Sequence, residues 1–148
     1  MIEGGLDGRD IPGELLEIPV VYGGEYGPDL EALAEATGLS PDELIARHTC
    51  DEYSVDMVGF TPGFAFVGGL DACFKVPRRA EPRQRVAAGS VGIADGRTGL
   101  YAMASPGGWN IIGRTPCRLF DPDAADPFAL KVGMRVRFRA VAADAFDA

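Results

Sequence analysis

Hydrophobic and polar positions change their period once along the chain, near Tyr53. Upstream, Leu30, Leu33 and Ala34 recur at helical spacing behind Pro28, which predicts a helix with Pro28 at N1, running through Ala36 and stopped by Gly38. A second helix has a fuller start signal: Ser40 as N-cap, Pro41 at N1, Glu43 at N3 completing a capping box, and Leu39 with Leu44 as a hydrophobic staple. Ahead of both, Leu15-Leu16-Glu17-Ile18-Pro19-Val20-Val21 reads as a strand whose Pro19 points to an edge, and the glycines of residues 22–27 mark a loop. Residues 1–13 have no period and read as a flexible lead-in, and 143–148 as a tail.

Beyond Tyr53 short apolar or alternating runs are separated by Gly and Pro. They predict strands at 53–58, 64–67, 73–76, 90–94, 99–104, 108–113, 117–120 and 134–142; in the last, Val136, Phe138 and Ala140 alternate with Arg135, Arg137 and Arg139. Two short helices followed by many short strands predict a mainly β domain over 14–142, a barrel or sandwich with a helical attachment.

The length of 148 residues and a hydrophobic content of 47% fit one domain with its own core. No run of 18 apolar residues is present, and the first residues lack the basic and apolar regions of an export signal, so a cytoplasmic protein away from membranes is expected. Cys50, Cys73 and Cys117 are widely spaced with no C-x-x-C, which fits buried reduced thiols rather than a metal site. Glycine (20) and proline (11) stand above their average frequencies of about 7% and 5%, so many turns are expected.

Charge is divided along the chain. Residues 1–60 carry 14 acidic and 2 basic side chains and the remainder 8 acidic and 12 basic, for −8 overall. Nucleic acid is a poor partner for such a balance, because counterion release needs clustered cations. The local exception is Lys75, Arg78, Arg79, Arg83, Arg85 and Arg97. These either pair with the acidic N-terminal third or divide, some pairing and one or two meeting an anionic ligand or partner, for which the planar guanidinium is suited.

Several chemistries are excluded by their motifs. There is no G-x-x-x-x-G-K-[ST], no G-x-S-x-G and no EF-hand spacing, so a P-loop, a nucleophile elbow and a calcium loop are absent and no metal is expected. His48, the only histidine, either complements the end of the second helix as a cation or packs there, or it touches a ligand. No residue is assigned a catalytic role. Three segments have unusual backbone chemistry. In 59–69, Pro62-Gly63 suits a type II turn, and Phe60, Phe64 and Phe66 either wall a pocket or pack as core. In 77–92, arginines sit beside Pro77 and Pro82, which stiffen their backbone. In 105–116, Gly107-Gly108 can bring amides close to a ligand oxygen, and Trp109 is either a buried anchor or a ligand platform.

Together, G-F-T-P-G-F-A-F at 59–66, P-R-R-A-E-P-R at 77–83, A-G-S-V-G-I-A at 88–94 and S-P-G-G-W-N-I-I-G-R-T-P at 105–116 closely resemble the allophanate hydrolase subunit 1 family. That family is also described as the B subunit of prokaryotic 5-oxoprolinase and as carboxyltransferase subdomains C and D. The match extends upstream through Ile18-Pro19-Val20-Val21-Tyr22-Gly23-Gly24-Glu25-Tyr26-Gly27-Pro28-Asp29-Leu30 and His48, and downstream to Val132-Gly133-Met134-Arg135-Val136-Arg137-Phe138, covering about residues 15–140. Departures are Ala87 for a common proline, Asp95-Gly96-Arg97 for a stretch ending in Gln, Ala102 for proline and Met134 for Asp.

The resemblance implies the family's C-terminal cyclophilin-like β-barrel, which in members follows an N-terminal lobe. It implies a subunit of an ATP-dependent lactam hydrolase converting 5-oxoproline to glutamate, active with a C-type partner and a third hydrolase subunit, with ATP bound in the complex. It also implies substrate contacts from Phe60, Pro62, Gly63, Phe64, Arg78, Arg83, Ser90, Ser105, Gly107, Gly108, Trp109 and Arg114, with His48 as an additional contact. Two other branches imply a module inhibiting a histidine kinase, or a carboxyltransferase fragment of a urea-carboxylase-like enzyme. Prolyl isomerisation would rest on fold analogy alone.

Overall fold

The computed structural model describes residues 15–58, 64–68, 74–117, 119, 123 and 130–146. Its elements are β1 (Leu15–Tyr22), α1 (Leu30–Thr37), α2 (Pro41–Thr49), β2 (Tyr53–Val58), β3 (Phe64–Gly68), β4 (Arg83–Val86), β5 (Ser90–Ala94), β6 (Arg97–Tyr101), β7 (Ser105–Gly107), β8 (Asn110–Arg114) and β9 (Arg135–Ala140), with a 3-10 turn at Ala143–Phe146. Seven strands close a barrel in the order β9-β1-β8-β5-β6-β3-β2, and β2 returns to β9. The pairing of β1 with β9, Ile18 opposite Phe138, is parallel, and the other barrel pairings are antiparallel. β4 and β7 form a separate two-stranded ribbon.

Alternation explains the interior. Ile18, Val20, Val55, Val67, Val91, Ile93, Leu100, Val136 and Phe138 bury their side chains in the main core, joined by Leu30 and Leu33 of α1 and Leu44 of α2. Arg135 and Arg137 of β9 are exposed between buried neighbours, as a period of two requires. A second, smaller cluster of Val86, Ala94, Tyr101, Trp109 and Ile111, with Phe64 and Phe66 against it, is separate from the first. Pro19 lies beyond the reach of β8, which pairs with β1 only at Val21 and Tyr22, so its missing N–H breaks no ladder on that side.

The α2 start is as the sequence predicts. Ser40 Oγ accepts from the Glu43 amide at 3.1 Å and Glu43 Oε1 accepts from the Ser40 amide at 2.9 Å, with Pro41 in the first turn. Ser40→Ala is expected to lower stability by about 1 kcal/mol, measured by urea unfolding. A change below 0.3 kcal/mol would mean, on the same ~1 kcal/mol scale for caps, that the box is decorative.

The α1 start differs. The helix begins at Leu30 with Asp29 as N-cap, and Pro28 lies outside it. The Asp29 amide donates to the Ile111 carbonyl and the Leu30 amide to Gly27, so residues 27–29 form a turn tied to β8 instead of a first helical turn. Gly38 does end the helix, its amide reaching the Ala34 and Glu35 carbonyls.

The strand expected at 73–76 is absent over its described residues. The Phe74 and Val76 carbonyls accept from the Gly96 and Asp95 amides, which commits the segment to bracing the β5–β6 hairpin. That hairpin turns on Asp95 and Gly96, both at positive φ, the two-residue pattern that matches strand twist. At 117–120 the described residues, Cys117 and Leu119, are in bends; the Cys117 amide donates to Thr115 Oγ1, a local bond that replaces ladder pairing. The strands expected at 99–104, 108–113 and 134–142 run instead at 97–101, 110–114 and 135–140. β4 and β7 are additional. No helix among the described residues is long and apolar enough to cross a membrane.

Candidate functional site

The ribbon, the segment leading into it and the loop before α1 meet on one carboxylate. Asp29 accepts from Arg83 through both terminal nitrogens, at 2.6 and 2.9 Å, from Arg79 at 3.0 Å and from the Ile111 amide at 2.7 Å. Its side chain is 15% exposed. Burial pushes the Asp29 carboxyl upward, but the Arg83 hydrogen bonds, the Ile111 amide and the two guanidinium charges outweigh it and hold the pKa below the ordinary value. Arg83 is raised correspondingly, first by its hydrogen bond to Asp29. The segment is tethered again by the Arg79 amide to the Gly108 carbonyl at 2.7 Å and by Asn110 Nδ2 to the Pro77 and Ile93 carbonyls.

Beneath the ribbon lies the aromatic cluster. Phe64 meets Phe66 and Tyr101 edge-to-face, both at 4.8 Å, and Trp109 at 5.5 Å. Trp109 is 6% exposed, so it is an anchor, with Arg78 above its ring at 5.6 Å. Gly107 is fixed by close approach, because a Cβ there would run into the Tyr101 hydroxyl and ring. That hydroxyl is fully enclosed and makes no hydrogen bond among the described residues. Burial raises the phenol pKa, while the nearby Trp109 amide pulls it down without completing a bond, as do Arg78 and Arg83. An unsatisfied enclosed hydroxyl costs stability. Tyr101→Phe is therefore expected to raise it by about 1 kcal/mol on urea unfolding, whereas a loss would reveal a hidden partner.

At the edge of the ribbon a cleft of about 160 Å³ opens between Glu25, Tyr26, Arg83, Arg85, Ser90 and Arg114. Arg114 donates through Nε to the Ala88 carbonyl at 3.1 Å and lies 5.9 Å from the Tyr26 ring centre. Ser90 is 4% exposed and sits opposite Arg114 in the β5–β8 ladder. The expected pairing of the arginines with the acidic N-terminal part is seen for three of them. Arg79 and Arg83 pair with Asp29, and Arg97 with Asp56 at 3.6 Å, all in the acidic N-terminal third. Arg78 reaches Asp95 at 3.9 Å in an exposed pair of little energetic weight, and Arg85 has no ion pair among the described residues.

The expected site residues thus form two adjoining groups: Phe64, Arg78, Gly107, Gly108 and Trp109 over the aromatic cluster, and Arg83, Ser90 and Arg114 at the cleft. Ser105 begins β7 opposite Val86. Phe60, Pro62 and Gly63 lie outside the described residues. His48 is elsewhere. It is fully buried, stacked on Phe138 at 4.3 Å, with Nδ1 2.7 Å from the Tyr22 hydroxyl and Nε2 2.9 Å from Thr98 Oγ1. Burial lowers its pKa to about 3, so of the readings given for it the packed ring holds and the helix-end cation does not.

The cysteine expectation is also corrected where it falls on described residues: Cys50 and Cys117 are free thiols but exposed, Cys50 at the C-cap of α2 with Sγ directed to the Arg47 carbonyl. No group of three or more metal-ligating side chains occurs among the described residues. Asp29 and Tyr26 are the site residues that sequence reasoning missed, and Arg85 was seen only as a member of the arginine cluster. Asp29 carried one signal, its place inside the matching upstream segment.

A closed β-barrel with an outer ribbon, a single-carboxylate hub and an arginine-lined cleft is the architecture of this chain, which belongs to the family described as carboxyltransferase domain, subdomain C and D, matched over residues 6–130. Among its relatives, the protein of Bacillus subtilis (strain 168) named as the B subunit of 5-oxoprolinase is 51% identical over 124 residues, 84% of this chain and 52% of that protein. The protein of the same name from Escherichia coli O157:H7 is 50% identical over 123 residues, 83% of this chain and 56% of the other. The crystal structure of a conserved uncharacterized protein from Pyrococcus horikoshii superposes with a TM-score of 0.87 at 48% identity, covering 92% of this chain and 63% of that one. The chain spans about half the length of the curated relatives it matches.

Proposed function

We propose that this chain is the barrel portion of the B subunit in a multi-subunit 5-oxoprolinase, acting in the cytoplasm with a C-type partner and a third hydrolase subunit in the ATP-dependent opening of 5-oxoproline to glutamate. One observation carries the reading: relatives named for that role share about half of their aligned residues with more than four-fifths of this chain.

The site chemistry is compatible with it. Opening a lactam places negative charge on the carbonyl oxygen, which hydrogen-bond donors and cations stabilise. The cleft offers Arg85, Arg114 and the Ser90 hydroxyl. It does not offer a histidine base, since the only histidine is buried elsewhere, stacked on Phe138. ATP enters this proposal as bound in the complex; this chain has no P-loop.

The test is ADP release and glutamate formation by the subunit containing this chain, co-purified with its two partners, with and without 5-oxoproline. Release that depends on 5-oxoproline and disappears when this subunit is omitted is expected. An assembled complex that ignores 5-oxoproline would sink the reading.

A further inference from the structure

The cleft beside the ribbon contains three guanidinium groups in unequal states. Arg83 gives both terminal nitrogens to Asp29. Arg114 is held at the wall by its Nε bond to the Ala88 carbonyl and by the face of Tyr26. Arg85 is exposed and pairs with no carboxylate among the described residues, although Glu25 lines the same cleft. Ser90 is 96% buried, lines this cleft, and its hydroxyl has no hydrogen-bond partner among the described residues. Yet that hydroxyl is not sealed: Tyr101 Oη is the one enclosed, unsatisfied side-chain atom among the described residues, so Ser90 opens to the cleft. A nearly buried donor without a partner and an uncommitted guanidinium, converging on a small cavity, have the donor set that a carboxylate requires.

We propose that Arg85, Arg114 and Ser90 form a carboxylate-binding subsite for a small amide or amino acid, from which Asp29 withholds Arg83. Glu25, the acidic residue on the cleft wall, accepts an N–H of the same ligand and disfavours a multiply charged phosphate. Naming 5-oxoproline as the ligand rests on the function proposed above; the subsite itself rests on the geometry.

Binding to the intact chain is measured by calorimetry and amide chemical shifts with three probes: 5-oxoproline, 2-pyrrolidinone, which is the same lactam without its carboxylate, and inorganic phosphate. The expected result is that 5-oxoproline binds roughly tenfold or more tightly than either of the others, and that Arg85→Ala weakens it about tenfold. Ser90→Ala is expected to weaken it about threefold and Arg85→Lys to retain part of the affinity, because Lys keeps the charge and loses the fork. Both sites tolerate change, Arg85 being exposed and Ser90→Ala removing one oxygen.

In the assembled complex Arg85→Ala raises the KM for 5-oxoproline more than it lowers kcat. Indifference of 5-oxoproline binding to Arg85→Ala, or equal binding of 2-pyrrolidinone, overturns the subsite even if the complex turns over 5-oxoproline. Arg85-dependent binding of 5-oxoproline, with an assembled complex that does not turn it over, upholds the subsite and overturns the proposed reaction. Phosphate as the tightest probe overturns the carboxylate assignment.

Discussion

Acidification from pH 6.5 to pH 4 is expected to remove about 3 kcal/mol of stability through His48 alone. In the unfolded chain the imidazole takes up a proton near its ordinary value of 6.5, whereas in the fold burial holds it neutral down to about 3. Between those values the unfolded state binds the extra proton, so stability is full above 6.5 and falls by about 1.4 kcal/mol per pH unit below it. Urea unfolding at a series of pH values checks this, with His48→Gln as the control. The variant is less stable at neutral pH, having lost bonds to Tyr22 and Thr98, but its slope between pH 6.5 and 5 is flat. Equal slopes in the two proteins, or a resonance titration of His48 near 6.5, would refute the assignment.

Replacing Asp29 by Ala is expected to cost about 3 kcal/mol, at the lower end for breaking a buried ion pair because its partners are a quarter to a third exposed. Two guanidinium groups and the Ile111 amide lose their acceptor together. The contribution of the wild-type carboxylate is complete above the ordinary Asp range and is lost as pH falls through a pKa lower than 3.8, a window distinct from that of His48. A double-mutant cycle with Arg83→Ala is expected to give a coupling energy of about 1 kcal/mol or more by urea unfolding. Coupling near zero would show that the hub is a surface pair without structural weight.

The contrast between α2 and α1 shows what the sequence made legible. Every bond that starts α2 joins residues within four positions, so Ser40, Pro41 and Glu43 signal it locally. The start of α1 is decided by partners 50, 54 and 82 residues away, which pull Asp29 out of a first turn and leave Pro28 outside. The barrel strands were legible because one face of each is apolar. β4 was not, since Arg83, Gln84 and Arg85 show no apolar period and only Val86 enters a core. β7 is three residues including Pro106 and was equally hidden. For the site, the arginine cluster was visible as a cluster. Which guanidinium was neutralised was not, because that depends on where a single aspartate from another part of the chain arrives.

The parallel seam between β1 and β9 joins the first described strand to the last, and it has a consequence for synthesis. As the chain leaves the ribosome, residues 15–22 wait for 135–140 before the barrel can close, and β2 waits with them. Until then, two strand edges carry unpaired backbone groups, the condition in which chains pair with their neighbours. The interval is set by translation of the residues after β8, so slow codons between 115 and 134 would prolong the adhesive state, and early termination before Arg135 would make it permanent.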